Sequence, residues 1–268
     1  CVEQRGINHF GIKTHAIYYD VNVQQNLRFN YKNRDIVAFP KTYTNTFTTE
    51  DGYFLVWGDF AQSDFRIAFN LLLRDENNTK FMSEIDDKYE GLAQLISKSE
   101  GEVFDLAKFK EMRKMYKTLT LATMYGTRDS IEKPKQEFIK MLSRFLESCP
   151  KYAEYEKRIN ERIALGMPFA VRSYFGHEEI INIDSYSGNP LFKALNTPIQ
   201  TGTSEIVILT VNKILEMFYD LGYTEEDVSV YMVRHDEPVF KVKETVKKDL
   251  WVFKQATDII VDNWVPLR

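Results

Sequence analysis

The alternation of apolar and polar positions divides this chain into segments of two periods. Tyr53 to Trp57 is a short continuous apolar run behind an Asp51-Gly52 turn signal, which predicts a buried strand. From Ala61 to Leu73 the period lengthens to that of a helix, with Phe65, Ala68, Phe69 and Leu72 on one side. Residues 76–165 are charged, rich in Lys and Glu, and mostly helical in pattern, with breaks near Gly101, Gly126 and Pro150. Pro168 to Ile183 alternates around Phe175-Gly176 and predicts a hairpin. Ser204 to Leu221 is strongly apolar and stops at Gly222, the pattern of a buried helix with a glycine C-cap. Val228–Val233 and Val239–Val242 alternate around a turn at His235–Pro238, a second hairpin. The first 50 residues lack a helical period and read as strands and loops. No repeat is visible, and the order of elements predicts an α+β fold with a helical subdomain inserted into a sheet domain.

Composition narrows this picture without changing it. A chain of 268 residues with 44% hydrophobic content can bury a substantial core, as one large or two modest domains. Its 14% aromatic and 28% charged residues fit a soluble globular protein rather than a disordered one. The net charge of −4 offers no global attraction for nucleic acid, so any such binding must rest on local basic patches. One patch is present: Lys108, Lys110, Arg113, Lys114 and Lys117 stand against Glu111 alone. By itself such a patch reads as a solvated helix face. Cys1 and Cys149 give neither a disulfide framework nor metal-ligand spacing, which points to a reducing, intracellular setting. No apolar stretch approaches the ~20 residues of a membrane span. A first residue that is cysteine rather than methionine suggests a fragment, a processed product or one part of something longer.

Three short segments carry candidate chemistry. Asp59 follows the apolar run, and Asp236-Glu237 falls between the alternating stretches of the second hairpin. Each acid alone is an ordinary turn former. Together, at the ends of apolar strands, two such acids can share divalent metals. In the helical region Arg113, Lys117, Leu121 and Tyr125 recur every four residues, and steps of four drift by only ~40° around a helix. They form one slowly winding stripe: cations suited to phosphates lead to an apolar and an aromatic residue suited to a base and sugar. An amphipathic helix with Leu121 and Tyr125 in the core accounts for the same spacing.

Taken in order, these segments resemble motifs A, B and C of the family A DNA polymerases, the group containing bacterial DNA polymerase I. Gly58-Asp-Phe-Ala-Gln-Ser-Asp-Phe-Arg66 is similar to motif A, Arg113, Lys117 and Tyr125-Gly126 stand at motif B spacing, and His235-Asp236-Glu237 is an intact motif C. Ser173-Tyr-Phe-Gly176, Asn196-Thr-Pro-Ile-Gln200, Gln25-Asn26 and Asp262-Asn-Trp264 resemble further family elements, so the likeness spans residues ~14–268. It implies a palm at 1–75 and 191–268, fingers at 76–190, and addition of dNMP from dNTP to a primer 3′-hydroxyl. Two Mg2+ ions would be held by Asp59, Asp236 and the Phe60 carbonyl, with Glu237 a secondary acid. Arg113 and Lys117 would hold the triphosphate, Lys117 also serving as proton donor to pyrophosphate. Tyr125, Gln62 and Leu121 would contact the nucleotide, and Asp64 would stand where the family excludes the ribose. His235, Arg66, Asn196, Gln200, Gln25 and Asn26 would contact DNA.

The departures are specific. The gate acid is Asp64 instead of Glu, Leu121 replaces an aromatic residue, and Asp87-Lys88-Tyr89 lacks the family's phosphate-contacting histidine. Thr14-His15-Ala16 replaces a Thr-Gly-Arg element, and Phe192 falls where an arginine is expected. The family's thumb and 3′–5′ exonuclease lie upstream of these motifs. They are expected in a longer parent chain or a separate subunit, as in the split or interrupted polymerases some phages carry. The implied setting is the cytoplasm of a bacterium or phage-infected host, with primer-template DNA and dNTP as partners. Two rivals remain at this point: a single-subunit RNA polymerase core, opposed by Glu237 and the Gln62…Arg66 pattern, and a catalytically silent DNA-binding subunit.

Overall fold

The computed structural model describes residues 47–125, 133–183, 189–234 and 236–264, together with four two- or three-residue strands near the N-terminus. Those strands pair antiparallel as two small ribbons, β1 (Glu3–Gln4) with β2 (Ile17–Tyr18) and β3 (Val21–Val23) with β4 (Phe29–Tyr31). The rest is mixed α+β, mostly helical, with small antiparallel sheets. It falls into two compact units, one made of Cys1–Ala61 and Thr203–Trp264 and the other containing Gln62–Gly202.

The first unit is built on a three-stranded antiparallel sheet. β5 (Tyr53–Trp57) pairs with β9 (Glu237–Lys243), which pairs with β8 (Val228–Arg234). β9 is the central strand and is buried along most of its length, which its run Val239-Phe240 and Val242 permits. One face of the sheet packs Val228, Phe240 and Val242 against Ile214 and Phe218 of the long helix and Val252 and Ala256 of the last one. Phe253 stacks edge-on against both Phe218 and Phe240, with ring centroids 5.3 and 5.1 Å apart. The other face gathers Met232, Val239, Leu55, Trp57 and Phe47. A 3-10 turn, Glu244–Asp249, leads from β9 to the last helix.

The register of β8 changes within the hairpin. Val230 faces Phe240, yet Met232 faces Val239, so Tyr231 is an extra residue in a bulge. A one-residue shift exchanges the two faces of a strand. Here it keeps Met232 on the same face as Val239 and leaves Arg234 opposite Glu237, with the motif C turn between them.

The second unit is helical. Its elements are α1 (Ser63–Ala68), a π-helical turn at Phe69–Leu73, α2 (Glu76–Ser83), α3 (Lys88–Ser99), α4 (Leu106–Met124), α5 (Lys133–Ser148) and α6 (Pro150–Ala164). Aspartates start α2, α3 and α4: Asp75, Asp87 and Asp105 each accept a backbone N–H of the first turn. The predicted breaks hold at Gly101, which has φ +73°, and at Pro150, the first residue of α6. Gly126 lies outside the described residues. A row of rings, Phe104, Phe109, Tyr116 and Phe138, joins α4 to α5. The predicted hairpin is β6 (Phe169–Arg172) with β7 (Glu178–Ile181), whose inward side chains pack on α6.

α7 (Pro190–Asp220) begins 14 residues before the apolar stretch that predicted it, and α8 (Trp251–Trp264) closes the described chain. Pro198 lies inside α7 and has no N–H to give the Ala194 carbonyl. The Tyr155 hydroxyl donates to that buried carbonyl instead, at 3.2 Å, so the helix continues. At its other end Gly222 adopts φ +87°, while Tyr223 N–H bonds back to the Phe218 carbonyl, the expected glycine cap.

Candidate active site

Sheet pairing brings the two metal-binding candidates of the first unit to one end. β5 runs antiparallel to β9 with Trp57 opposite Val239, and the Gly58 N–H donates to the Pro238 carbonyl at 2.9 Å. Asp59 follows Gly58 directly, and Asp236 lies in the β8–β9 turn just before Glu237, at the same end of the sheet. Asp59 is exposed and Asp236 half-buried. Glu237 is buried, and its carboxylate lies 3.8 Å from the Arg234 guanidinium across the hairpin. His235 lies outside the described residues, as do Gln25, Asn26, Thr14-His15-Ala16 and the side chains of Asp262-Asn-Trp264.

In the second unit motif A enters α1 through an unusual residue. Gln62 caps the helix with φ 60° and ψ 34°, the left-handed region that glycine favours. Its side chain holds it there: Nε2 donates to Asp87 Oδ1 at 3.2 Å, and Oε1 accepts the Lys88 N–H at 2.9 Å. Asp64 stands half-buried in the first turn of α1, where its charge helps raise the Tyr89 phenol, although burial is the larger cause. Arg66 is half-buried too; desolvation lowers its pKa, opposed by Asp86.

The motif B stripe runs along α4 from solvent into the core. Arg113 is partly exposed and ion-paired to Asp87 through Nε, which raises its pKa. Lys117 is exposed, with Nζ 5.9 Å from the centre of the Tyr89 ring. Leu121 is half-buried, and Tyr125 ends the helix at 8% exposure, edge-on to Phe192 at 6.2 Å. The stripe therefore has a partly exposed cationic end at Arg113 and Lys117 and a buried aromatic end at Tyr125. Asn196 and Gln200 lie one turn apart on α7, both half-buried, and among the described residues the Asn196 Oδ1 has no hydrogen-bond donor.

In the sequence, Asp87-Lys88-Tyr89 marks only the place of a missing histidine. The structure makes these three residues a junction. Asp87 ties Gln62 to Arg113, Tyr89 lies under Lys117, and Lys88 is buried with its ammonium donating to the Met82 and Ile85 carbonyls at 2.7 and 2.5 Å. Asp87-Lys-Tyr-Glu90 carries the spacing of a capping box, which signals a helix start but not a pairing 26 residues away.

Among the described residues no three His, Cys, Asp or Glu side chains gather into a metal cluster. The groups that the resemblance names as metal ligands, two carboxylates and the Phe60 carbonyl, are all oxygen donors, the type magnesium takes. Magnesium keeps several waters and takes one or two carboxylates plus substrate phosphates, so no larger cage is needed. Among the described residues, no helix is long and apolar enough to cross a membrane.

A model of DNA polymerase family A matches residues 25–262. No curated protein matches the chain. Among solved structures, the polymerase domain of Pol1 from M. smegmatis, in complex with DNA primer-template and dNTP, superposes with a TM-score of 0.72 at 18% identity. That likeness shows a shared fold. It covers 98% of this chain and 47% of the M. smegmatis chain, so the present chain spans about half of that structure. With nine-tenths of its length matched by the family model and its three motifs in order, the chain belongs to DNA polymerase family A.

Proposed function

We propose that this chain carries out template-directed DNA synthesis, adding dNMP from dNTP to a primer 3′-hydroxyl, with residues 1–75 and 191–268 as palm and 76–190 as fingers. The observation that supports the reading is that β5, which leads into Asp59, and the β8–β9 turn that carries Asp236 lie at the same end of the sheet. These carboxylates and the Phe60 carbonyl would hold magnesium, which when bound lowers the pKa of a coordinated hydroxyl and offsets charge on the departing pyrophosphate. Arg113 grips the triphosphate with its guanidinium fork, and Lys117, one turn on, faces the charge that grows on the leaving group and gives it a proton. Tyr125 and Leu121 pack beneath the nascent base pair, while Asp64 crowds the 2′ position of the sugar. Arg66, His235, Asn196 and Gln200, with Gln25 and Asn26 upstream, contact the primer and template.

The test is extension of a labelled primer by the enzyme containing this chain, with magnesium and either dNTPs or NTPs. Template-directed addition of dNMP in strong preference to NMP is expected. DNA binding with no incorporation would identify a silent subunit, and preference for NTPs would identify an RNA polymerase.

A further inference from the structure

We infer that Asp87 is a positioning residue for nucleotide binding: by taking the Nε–H of Arg113, it aims the terminal nitrogens of that guanidinium at the incoming triphosphate. The inference rests on the proposed role of Arg113 as triphosphate grip.

Three segments meet on this one carboxylate. Oδ1 accepts from Gln62 Nε2 at 3.2 Å and from the Tyr89 N–H at 3.1 Å, and Oδ2 accepts from Arg113 Nε. The carboxylate also caps the N-terminus of α3, where the helix dipole favours negative charge. Its orientation is thus fixed by donors from the motif A turn, its own helix and motif B, 25 and 26 residues away.

The geometry at Arg113 matters as much. A guanidinium presents five N–H groups in a rigid planar fork. Asp87 takes the one on Nε, and among the described residues the two terminal nitrogens donate no hydrogen bond. The Arg113 side chain is 42% exposed, whereas Asp87 is 22% exposed. One edge of the fork is anchored and, among the described residues, the other end meets no acceptor, the arrangement that suits bidentate phosphate binding. Pre-setting a long flexible side chain lowers the ordering cost of binding. Against this, a nearby carboxylate repels a triphosphate. Positioning outweighs repulsion because the Asp87 charge is already spread over an ion pair, a side-chain amide and a helix N-terminus.

The same turn of α3 also addresses the second cation. Tyr89, two residues after Asp87, lies under Lys117. Its own ring is fixed against Phe65 of α1, with centroids 5.0 Å apart. The first turn of α3 thus holds both motif B cations from one side, in the place where the family resemblance expects a phosphate-contacting histidine.

The test is nucleotide titration under single turnover with the enzyme containing this chain, comparing Asp87→Asn, Arg113→Ala and the double variant. Asparagine keeps the helix cap and an acceptor for Gln62 but loses the charge. Loss of one charge-assisted hydrogen bond predicts nucleotide affinity weakened by about tenfold, a maximal rate within about threefold, and no further loss in the Arg113→Ala background. Asp87→Ser, which caps the helix but cannot reach Arg113, should repeat this if the asparagine variant folds poorly. Unchanged or tighter binding in Asp87→Asn would overturn the inference, as would an equal loss with and without Arg113. If Arg113→Ala itself leaves nucleotide affinity unchanged, the triphosphate assignment fails and the positioning role falls with it.

Discussion

The sheet end bearing Asp59 and Asp236 and the helix face bearing Arg113 and Lys117 are positioned by different means. In the first unit the placement is backbone work: ladder bonds fix β5 and β8 on either side of β9, a bulge at Tyr231 sets the hairpin register, and the acids come along as strand-end residues. In the second unit the placement depends on single side chains, namely Gln62, Asp87 and Lys88, each bonded across a gap between helices. A carboxylate on a strand end can be replaced without moving its neighbours. A tie such as Asp87 or Lys88 cannot, since what it holds is the geometry itself.

That contrast can be tested by size of effect. Lys117→Ala should slow the maximal rate of incorporation on the order of 10²–10³-fold, the range for removing a group aimed at transition-state charge. Single-turnover rates at saturating dNTP measure it, and an unchanged rate would remove Lys117 from the chemistry. Lys88→Ala should destabilise the second unit by about 3 kcal/mol, because it leaves a cavity and two carbonyls without their donor. Urea denaturation would show it; a cost below that of a surface substitution would mean the burial of this ammonium gains nothing. Asp64→Glu should sharpen rejection of ribonucleotides by about 1–3 kcal/mol, since one methylene brings the carboxylate nearer the 2′ position. The ratio of dNTP to NTP efficiency reads this directly, and an unaltered ratio would show that the gate lies elsewhere. Smallest is Tyr155→Phe, at about 1 kcal/mol, which orphans the Ala194 carbonyl. Adding Pro198→Ala returns a backbone donor to that carbonyl, so the pair should recover the loss; a purely additive double variant would contradict this account of the helix.

The same contrast explains what was legible in the sequence. The two hairpins and the β5 run were readable because alternation reports which face of a strand is buried, and Asp59 and Asp236 followed as strand-end acids. The helix breaks at Gly101 and Pro150 were readable from local chemistry. The early start of α7 was not, because Pro198 argues against a helix and the Tyr155 hydroxyl that compensates sits 39 residues away from Ala194. The tie at Asp87 leaves no mark in the sequence, because a capping aspartate looks the same whether or not an arginine meets it. Gln62 in the left-handed region carried no signal either, since glutamine is not a residue that favours positive φ.

The most direct test of the central claim is primer extension by the enzyme containing this chain after Asp59→Asn and, separately, Asp236→Asn, with primer-template affinity measured alongside. If the two strand-end carboxylates hold the catalytic metals, each variant should lose on the order of 10³-fold or more in incorporation while binding DNA as tightly as the wild type. Retention of more than a few per cent of activity in either variant would contradict the account.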